Sequence, residues 1–238
     1  MIPYNHIYEI TSQCILPVSI KKLILKNIAQ YAPRTHEELR YAVAVYPENI
    51  ERYGSIELWE VSYITNMSNI FNDKTINFDL SRWDVSHVTN MNNMFVNCNF
   101  KINPKIQNWN VSNVKNMRGM FASSNFKYDI SNWNTCKVED MSYMFSYCSF
   151  NHDISLLDVS NVLEMEYMFS NSKFNKNISR WNTSKVTSMK GMFINTNYEH
   201  DLMRWNTCNL KNSYNMFLKS KYPYDKEKFK VENDRLFR

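Results

Sequence analysis

Residues 133–145 read Trp-Asn-Thr-Cys-Lys-Val-Glu-Asp-Met-Ser-Tyr-Met-Phe, and this stretch returns with substitutions along most of the 238-residue chain. Its copies begin at Trp59, Trp83, Trp109, Trp133, Leu157, Trp181 and Trp205. The closing phenylalanine always falls twelve residues after the anchor, at Phe71, Phe95, Phe121, Phe145, Phe169, Phe193 and Phe217. Anchors are 24 residues apart, except for a 26-residue step between Trp83 and Trp109, where Lys101-Ile102-Asn103-Pro104-Lys105-Ile106 implies a bulged loop. Self-similarity at a fixed period in this range is the mark of units that cannot bury their apolar face alone and must stack on copies of themselves.

Within one unit, Trp133 and Thr135 alternate like a short strand, whereas Val138, Met141, Met144 and Phe145 recur at three and four, as on one face of a helix. The expected fold is therefore an α/β solenoid, a leucine-rich-repeat-like right-handed stack of about seven strand-turn-short-helix coils with a helical N-terminal cap. Residues 1–56 are assigned to the cap, 57–218 to the coils and 219–238 to a charged C-terminal cap or tail. In the N-terminal part, residues 17–31 read as a helix, and a second starts at Thr35, with Glu38 three positions on as in a capping box. Pro47 suits a helical first turn and Gly54 a helix stop. At the other end Ser213 replaces a repeat methionine, and Tyr222, Phe229, Leu236 and Phe237 are spaced so as to fold over the last coil.

Net charge is +5, but it is not a basic groove. Residues 57–218 hold 15 basic and 14 acidic side chains, and the last twenty residues 7 and 4, so the excess lies mostly in the tail. Single-stranded nucleic-acid binding needs basic and aromatic residues interleaved on one exposed face, and here the aromatics are repeat-core residues, so no nucleic-acid partner is expected. No stretch approaches the ~20 apolar residues of a membrane span. The N-terminus carries no pattern of a secretory signal. Five cysteines without a Cys-x-x-Cys pair favour a reducing compartment. A soluble cytoplasmic monomer is expected, with the extracellular surface as the alternative location.

Each candidate chemistry has a structural rival. Met91/Met94, Met117/Met120, Met141/Met144, Met165/Met168 and Met189/Met192 could offer thioethers to a soft metal, but their periodicity places them in the core, where methionine fills gaps. Cys136 and Cys208 share one repeat slot and Cys98 and Cys148 another. Neither pair falls in adjacent coils, which argues against a disulfide or a zinc site. His152 and His200 lie two coils apart and are expected as solvated loop residues. The acidic slot Asp79, Asp129, Asp153 and Asp201, with Asn177 in one coil, precedes the strand and suits Asx-type turn capping better than calcium. The 33 asparagines, recurring at Asn66, Asn90, Asn116 and Asn212, suggest side chains that satisfy turn backbones. Only three glycines are present, which excludes Gly-rich phosphate loops. No nucleophile, histidine and acid can be assembled outside the repeat positions, so no enzyme, cofactor or metal is expected.

Residues on either side of each anchor tryptophan should point outward and stack into a face. That candidate protein-binding face is Arg82, Asp84, Asn108, Asn110, Asn132, Asn134, Leu156, Asp158, Arg180, Asn182, Arg204 and Asn206. Leu156 is its one apolar member, followed by Arg180 and Arg204 in the next two coils.

The segments Phe126-Lys-Tyr-Asp-Ile-Ser-Asn-Trp-Asn-Thr and Val88-Thr-Asn-Met-Asn-Asn-Met-Phe95 resemble the BspA-type leucine-rich-repeat family, in its Met-Phe-rich variant first catalogued as a domain of unknown function in mycoplasma surface lipoproteins. The lead-in Glu38-Leu-Arg-Tyr-Ala-Val43, followed by Ile50-Glu-Arg-Tyr-Gly-Ser-Ile56, is similar to the segment before the first repeat there, so the likeness spans about residues 36–222. It implies a leucine-rich-repeat-like horseshoe or rod without catalytic residues, and protein or surface binding. The expected function is a non-catalytic module that presents its repeat surface to a protein partner. The alternative is an adhesin exported without a recognisable signal.

Overall fold

A computed structural model describes Pro17 and residues 31–231. The helix expected over 17–31, apart from its end residues Pro17 and Tyr31, and Cys14, Leu236 and Phe237 lie outside the described residues. Regular structure begins at α1, His36–Ala44, capped by the Thr35 hydroxyl, which accepts the Glu38 N–H at 3.1 Å. The Glu38 carboxylate reaches back to the Arg34 N–H at 2.7 Å, one residue short of a reciprocal capping box. Leu39, Ala42 and Val43, spaced by three and four, form the buried stripe that seats α1 on the first repeat. His36 Nδ1 lies 3.1 Å from the Asn66 carbonyl, and Lys74 donates to the Ala44 carbonyl. A short α2, Ile50–Tyr53, stops at Gly54, whose φ of +70° suits a residue without a Cβ.

The strand-turn-short-helix coil does not form, and the α/β solenoid built from it is corrected accordingly. Among the described residues the only sheet is the two-residue parallel pair β1, Thr75–Ile76, with β2, Asn99–Phe100. The anchor tryptophans lie in loop, and no helix covers any Met-x-x-Met-Phe segment. The rest of each repeat is turn and loop, apart from 3-10 turns at Ile56–Leu58, Ile106–Asn108 and Glu227–Phe229.

Backbone dihedrals give the reason. Met94 donates to the Met91 carbonyl, Val96 to Asn93 and Cys98 to Phe95, each at 3.2 Å. These are three overlapping β-turns. Asn93 and Asn97, third residues of the first and last of them, have φ of +52° and +55°, the signature of a type II turn. A left-handed residue every fourth position cannot belong to an α-helix. Consecutive turns nevertheless bury Val88, Met91, Met94 and Phe95 on one side, so they mimic helical spacing without being a helix.

Repeats are joined rung to rung by backbone hydrogen bonds. Met91, Asn93, Phe95 and Asn97 donate to the carbonyls of Asn116, Arg118, Met120 and Ala122 at 2.8–2.9 Å, while Lys115 donates back to Thr89 at 2.8 Å. Single parallel bridges mark the same register, Asn66 to Asn90 to Asn116 to Asp140 to Glu164 to Ser188 to Asn212. Four N–H groups per rung donate one way and two return, Lys115 and Asn116 sharing the Thr89 carbonyl at 2.8 and 3.3 Å. Alternating turn conformations explain this, because they point successive outward N–H groups the same way along the stack.

Inside, aromatic rings form columns. Phe95, Phe121, Phe145, Phe169, Phe193 and Phe217 follow one another at centroid spacings of 5.6–5.9 Å. A second column, Phe126, Phe150, Phe174, Tyr198 and Tyr222, stands beside the first, and Phe121 meets Phe126 at 3.9 Å. The tryptophans are pinned individually. The indole N–H of Trp109, Trp133, Trp181 and Trp205 donates to Leu80, Ile106, Ile154 and Ile178 of the preceding repeat at 2.9–3.1 Å. At the far end Tyr222 stacks on Phe217 at 4.2 Å and Phe229 meets Phe217 edge-on at 5.4 Å, covering the last repeat. The two extra residues of the long step are absorbed around Lys105, a left-handed residue with φ +56°, whose ammonium pairs with Asp79 at 2.8 Å.

Candidate functional site

The stack has two long polar edges, one beside the tryptophans and one along the Met-x-x-Met segments. All twelve residues of the expected binding face lie on the tryptophan edge and all are exposed. Flanking no strand, they sit in loops and turns, and the two positions around each anchor differ in what their side chains do.

The position after the anchor is engaged locally. Asp84, Asn110, Asn134, Asp158, Asn182 and Asn206 each use a side-chain oxygen to accept the N–H two residues on, at 2.9–3.2 Å. A short side chain reaches its own backbone in this way most easily; the slot is Asp or Asn in six repeats and Glu60 in the first, where Oε1 accepts the Ser62 N–H at 3.0 Å. The slot at Asp79, Asp129, Asp153, Asn177 and Asp201 does the same at 2.7–3.0 Å. A third Asx turn lies on the methionine edge at Asn66, Asn90, Asn116, Asp140 and Asn212. The residues named in these three turns include nine of the 33 asparagines, and Glu164 and Ser188 stand in the third slot of two repeats.

The position before the anchor is open. Arg82, Asn108, Asn132, Leu156, Arg180 and Arg204 form a column of one residue per rung, and none makes a side-chain hydrogen bond or ion pair among the described residues. Leu156 is 84% exposed, the most exposed large apolar side chain described. Next to it along the column is a cavity of about 330 Å³ lined by Asn177, Ser179, Arg180, Asp201 and Arg204. Sequence reasoning found the arginines and the leucine, but took Asp201 and Asn177 for turn caps alone. Their second role depends on the return loop folding beside the column, for which no sequence signal exists.

The remaining candidates are structural. The repeat methionines Met91 to Met192 are buried. Among the described residues no group of three His, Cys, Asp or Glu side chains could hold a metal ion. Cys98 and Cys148 are buried. Burial pushes the Cys98 thiol up to about 12 and raises that of Cys148 as well, so neither is a ready nucleophile. Cys208, by contrast, is exposed and Cys136 half-buried. The histidines are not simply solvated: His152 Nε2 lies 2.8 Å from the Lys127 carbonyl and His200 Nε2 3.3 Å from that of Asn175. No described helix is long and apolar enough to cross a membrane.

A family model described as "Mycoplasma protein of unknown function, DUF285" matches residues 43–149 and again 122–229. No curated protein and no solved structure matches the chain. The two stretches overlap and together cover the repeats from end to end, so the Met-Phe signature is a property of that family. The BspA-type leucine-rich-repeat assignment is corrected on this ground, and the chain belongs to the mycoplasma family of unknown function, DUF285.

Proposed function

We propose that the chain is a non-catalytic protein-interaction module whose binding surface is the open column before the tryptophans, centred on Leu156, Arg180 and Arg204. The observation that carries this reading is the contrast within the tryptophan edge. One slot has its polar atoms engaged in turns, while its neighbour presents an apolar side chain and two unpaired guanidinium groups in three successive rungs.

A single exposed leucine is ordinary on a protein surface. Its neighbours give it meaning, because arginine is enriched among the energetically dominant residues of interfaces. Arginine presents a planar fork of donors suited to carboxylates. The partner is therefore a protein segment carrying an apolar side chain next to an anionic group. Catalysis is a poorer fit, because the buried thiols have raised pKa values and the acids of this edge each give one oxygen to a turn.

Affinity capture from the native cell tests the reading, with the intact chain compared with Leu156→Asp/Arg180→Glu/Arg204→Glu, both showing the same thermal melt. The expected result is a protein recovered with the first and lost with the second. Equal recovery of that protein by both removes the binding site from this column.

A further inference from the structure

The cavity at the C-terminal end of the column has a donor and acceptor pattern more specific than a basic patch. Arg180 and Arg204 occupy the same slot in successive rungs, which here are 5.6–6.2 Å apart by the Phe193–Phe217 and Trp181–Trp205 spacings. That separation lets two guanidinium forks close on one carboxylate from either side. Arg118, on the methionine edge, is by contrast already paired with Asp140 at 3.7 Å and lies over the Tyr143 ring.

Asn177 and Asp201 complete the lining. Asn177 Oδ1 accepts the Ser179 N–H at 3.0 Å, leaving its amide nitrogen as a donor. Asp201 Oδ1 accepts the Met203 N–H at 2.7 Å, leaving Oδ2 as an acceptor. The cavity therefore offers two cations, an amide donor and one anionic acceptor. A phosphate dianion finds no use for that acceptor and is repelled by it. An Asp or Glu side chain brings a carboxylate but sets it one or two bonds further from its own backbone N–H. A polypeptide's last residue brings both together, since its carboxylate and its own amide N–H share one Cα.

The column supplies the remaining contact. Leu156 is one rung before Arg180, so it lies one and a half rungs from a carboxylate held between the arginines. At the 5.6–5.7 Å spacing of Phe169, Phe193 and Phe217 this is roughly 9 Å, or about two to three residues of extended chain at ~3.3 Å each. Side chains two apart in an extended chain share a face, which selects the residue two before the last.

We infer that this cavity receives the carboxyl terminus of a partner polypeptide: Arg180 and Arg204 clamp the terminal carboxylate, Asp201 accepts the terminal residue's N–H, and Leu156 covers an apolar side chain two residues upstream. The inference rests on the interaction-module reading and narrows it to one chemistry.

The test is a peptide array carrying every terminal residue, with Leu or Asp two positions before it, synthesised once with free carboxyl termini and once amidated. It is probed with the intact chain and with Arg180→Gln, Arg204→Gln and Leu156→Asp, each checked for an unchanged melt. Free-acid peptides with Leu at the upstream position should bind, and amidation or either glutamine variant should weaken binding about tenfold or more, as loss of a charge-assisted bond does. Leu156→Asp should abolish the preference for upstream Leu. Equal binding of amidated peptides, or competition by inorganic phosphate as effective as by free-acid peptide, overturns the inference. If no array peptide binds while the triple variant still loses a captured protein, the carboxyl-terminal assignment falls and the interaction module stands. If the triple variant loses nothing either, both fall.

Discussion

The two polar edges of the stack are built from the same repeat and do opposite things with their polar groups. Along the methionine edge, four N–H groups per repeat bond the next rung, and the side chains pair among themselves. Lys115 faces Glu139, Arg118 faces Asp140, and Tyr143 stacks on Tyr167 at 4.9 Å between the cations of Arg118 and Lys190. Along the tryptophan edge the indole N–H and the Asx turns hold each loop in place, and the column before the tryptophans is left uncommitted. An edge whose bonds close on themselves maintains the stack. An edge that leaves an apolar side chain and two arginines open is the one on which a partner gains interactions the free protein lacks.

If the methionine edge and its phenylalanine column carry the fold, the largest loss should come from Phe145→Ala. This ring is fully buried and stacks on Phe121, Phe150 and Phe169. Truncating such a side chain costs about 3–5 kcal/mol. Trp133→Leu, its counterpart on the tryptophan edge, should cost less than half as much, because Leu157 already occupies that slot in the next repeat without interrupting the register. Urea unfolding of the two variants checks the ranking, and equal losses would erase the proposed division of labour.

Next in size is Gly191→Ala. Gly191 has φ +61°, and a Cβ there would overlap the Tyr167 ring and press on Ile194 at 3.0 Å. The ring cannot retreat freely, being stacked on Tyr143. A loss of about 2 kcal/mol is expected from the left-handed backbone and the clash together. Gly119→Ala has the same φ but meets only the end of the Asn93 side chain, which can swing aside, so its loss should be about half as large. Thermal melts of the pair separate backbone strain, common to both, from the ring contact.

Those glycines also mark where the sequence was legible and where it was not. The period, the seven anchors and the inward side chains could be read from spacing, because burial follows residue type whatever the backbone does. The slots filled by Asp129 or Asn116 could be read as turn caps, since short polar side chains at fixed offsets have few other uses. The Met-x-x-Met-Phe segment reads as a helix because overlapping turns bury the same three-and-four pattern. What tells them apart is a left-handed residue at Asn69, Asn93, Gly119, Tyr143, Tyr167, Gly191 and Asn215. Asn and Gly in that slot signal it, but two tyrosines hide it. The candidate face was half legible for a related reason: the alternation that pointed both neighbours of each tryptophan outward says nothing about Asp84 or Asp158 turning its oxygen back onto the chain.

A smaller comparison sets one Asx turn against another. Asp129→Ala removes the bond to the Ser131 N–H at 2.8 Å on the exposed tryptophan edge, and should cost about 1 kcal/mol. Asp140→Ala removes the corresponding bond to Ser142 at 2.7 Å and also the Arg118 contact beneath the tyrosine pair. It should cost more, and chemical denaturation of both variants decides whether the methionine edge is the more demanding of the two.

The smallest effect separates the edges by pH. Hydrogen bonds from Lys105 and Ser81 hold the Asp79 carboxyl down at about 2, below its ordinary 3.8. Hydrogen bonds from the neighbouring serine also lower Asp84, Asp129, Asp153 and Asp158. All five stand on the tryptophan edge. A carboxyl whose pKa is depressed by folding binds fewer protons folded than unfolded near its titration, so its contribution is complete above about pH 4 and is lost as pH falls toward 2. The Asp79–Lys105 pair is open to solvent, so screening keeps its share of the stability small. Melting temperature should therefore decline between pH 4 and pH 2, and Asp79→Asn should flatten part of that decline. Tryptophan emission, reporting the tryptophan edge, should change at a higher pH than hydrogen exchange along the Met91–Phe95 ladder. Simultaneous loss of both signals would show that the two edges unfold as one unit, and that their difference lies in what they leave open rather than in what holds them.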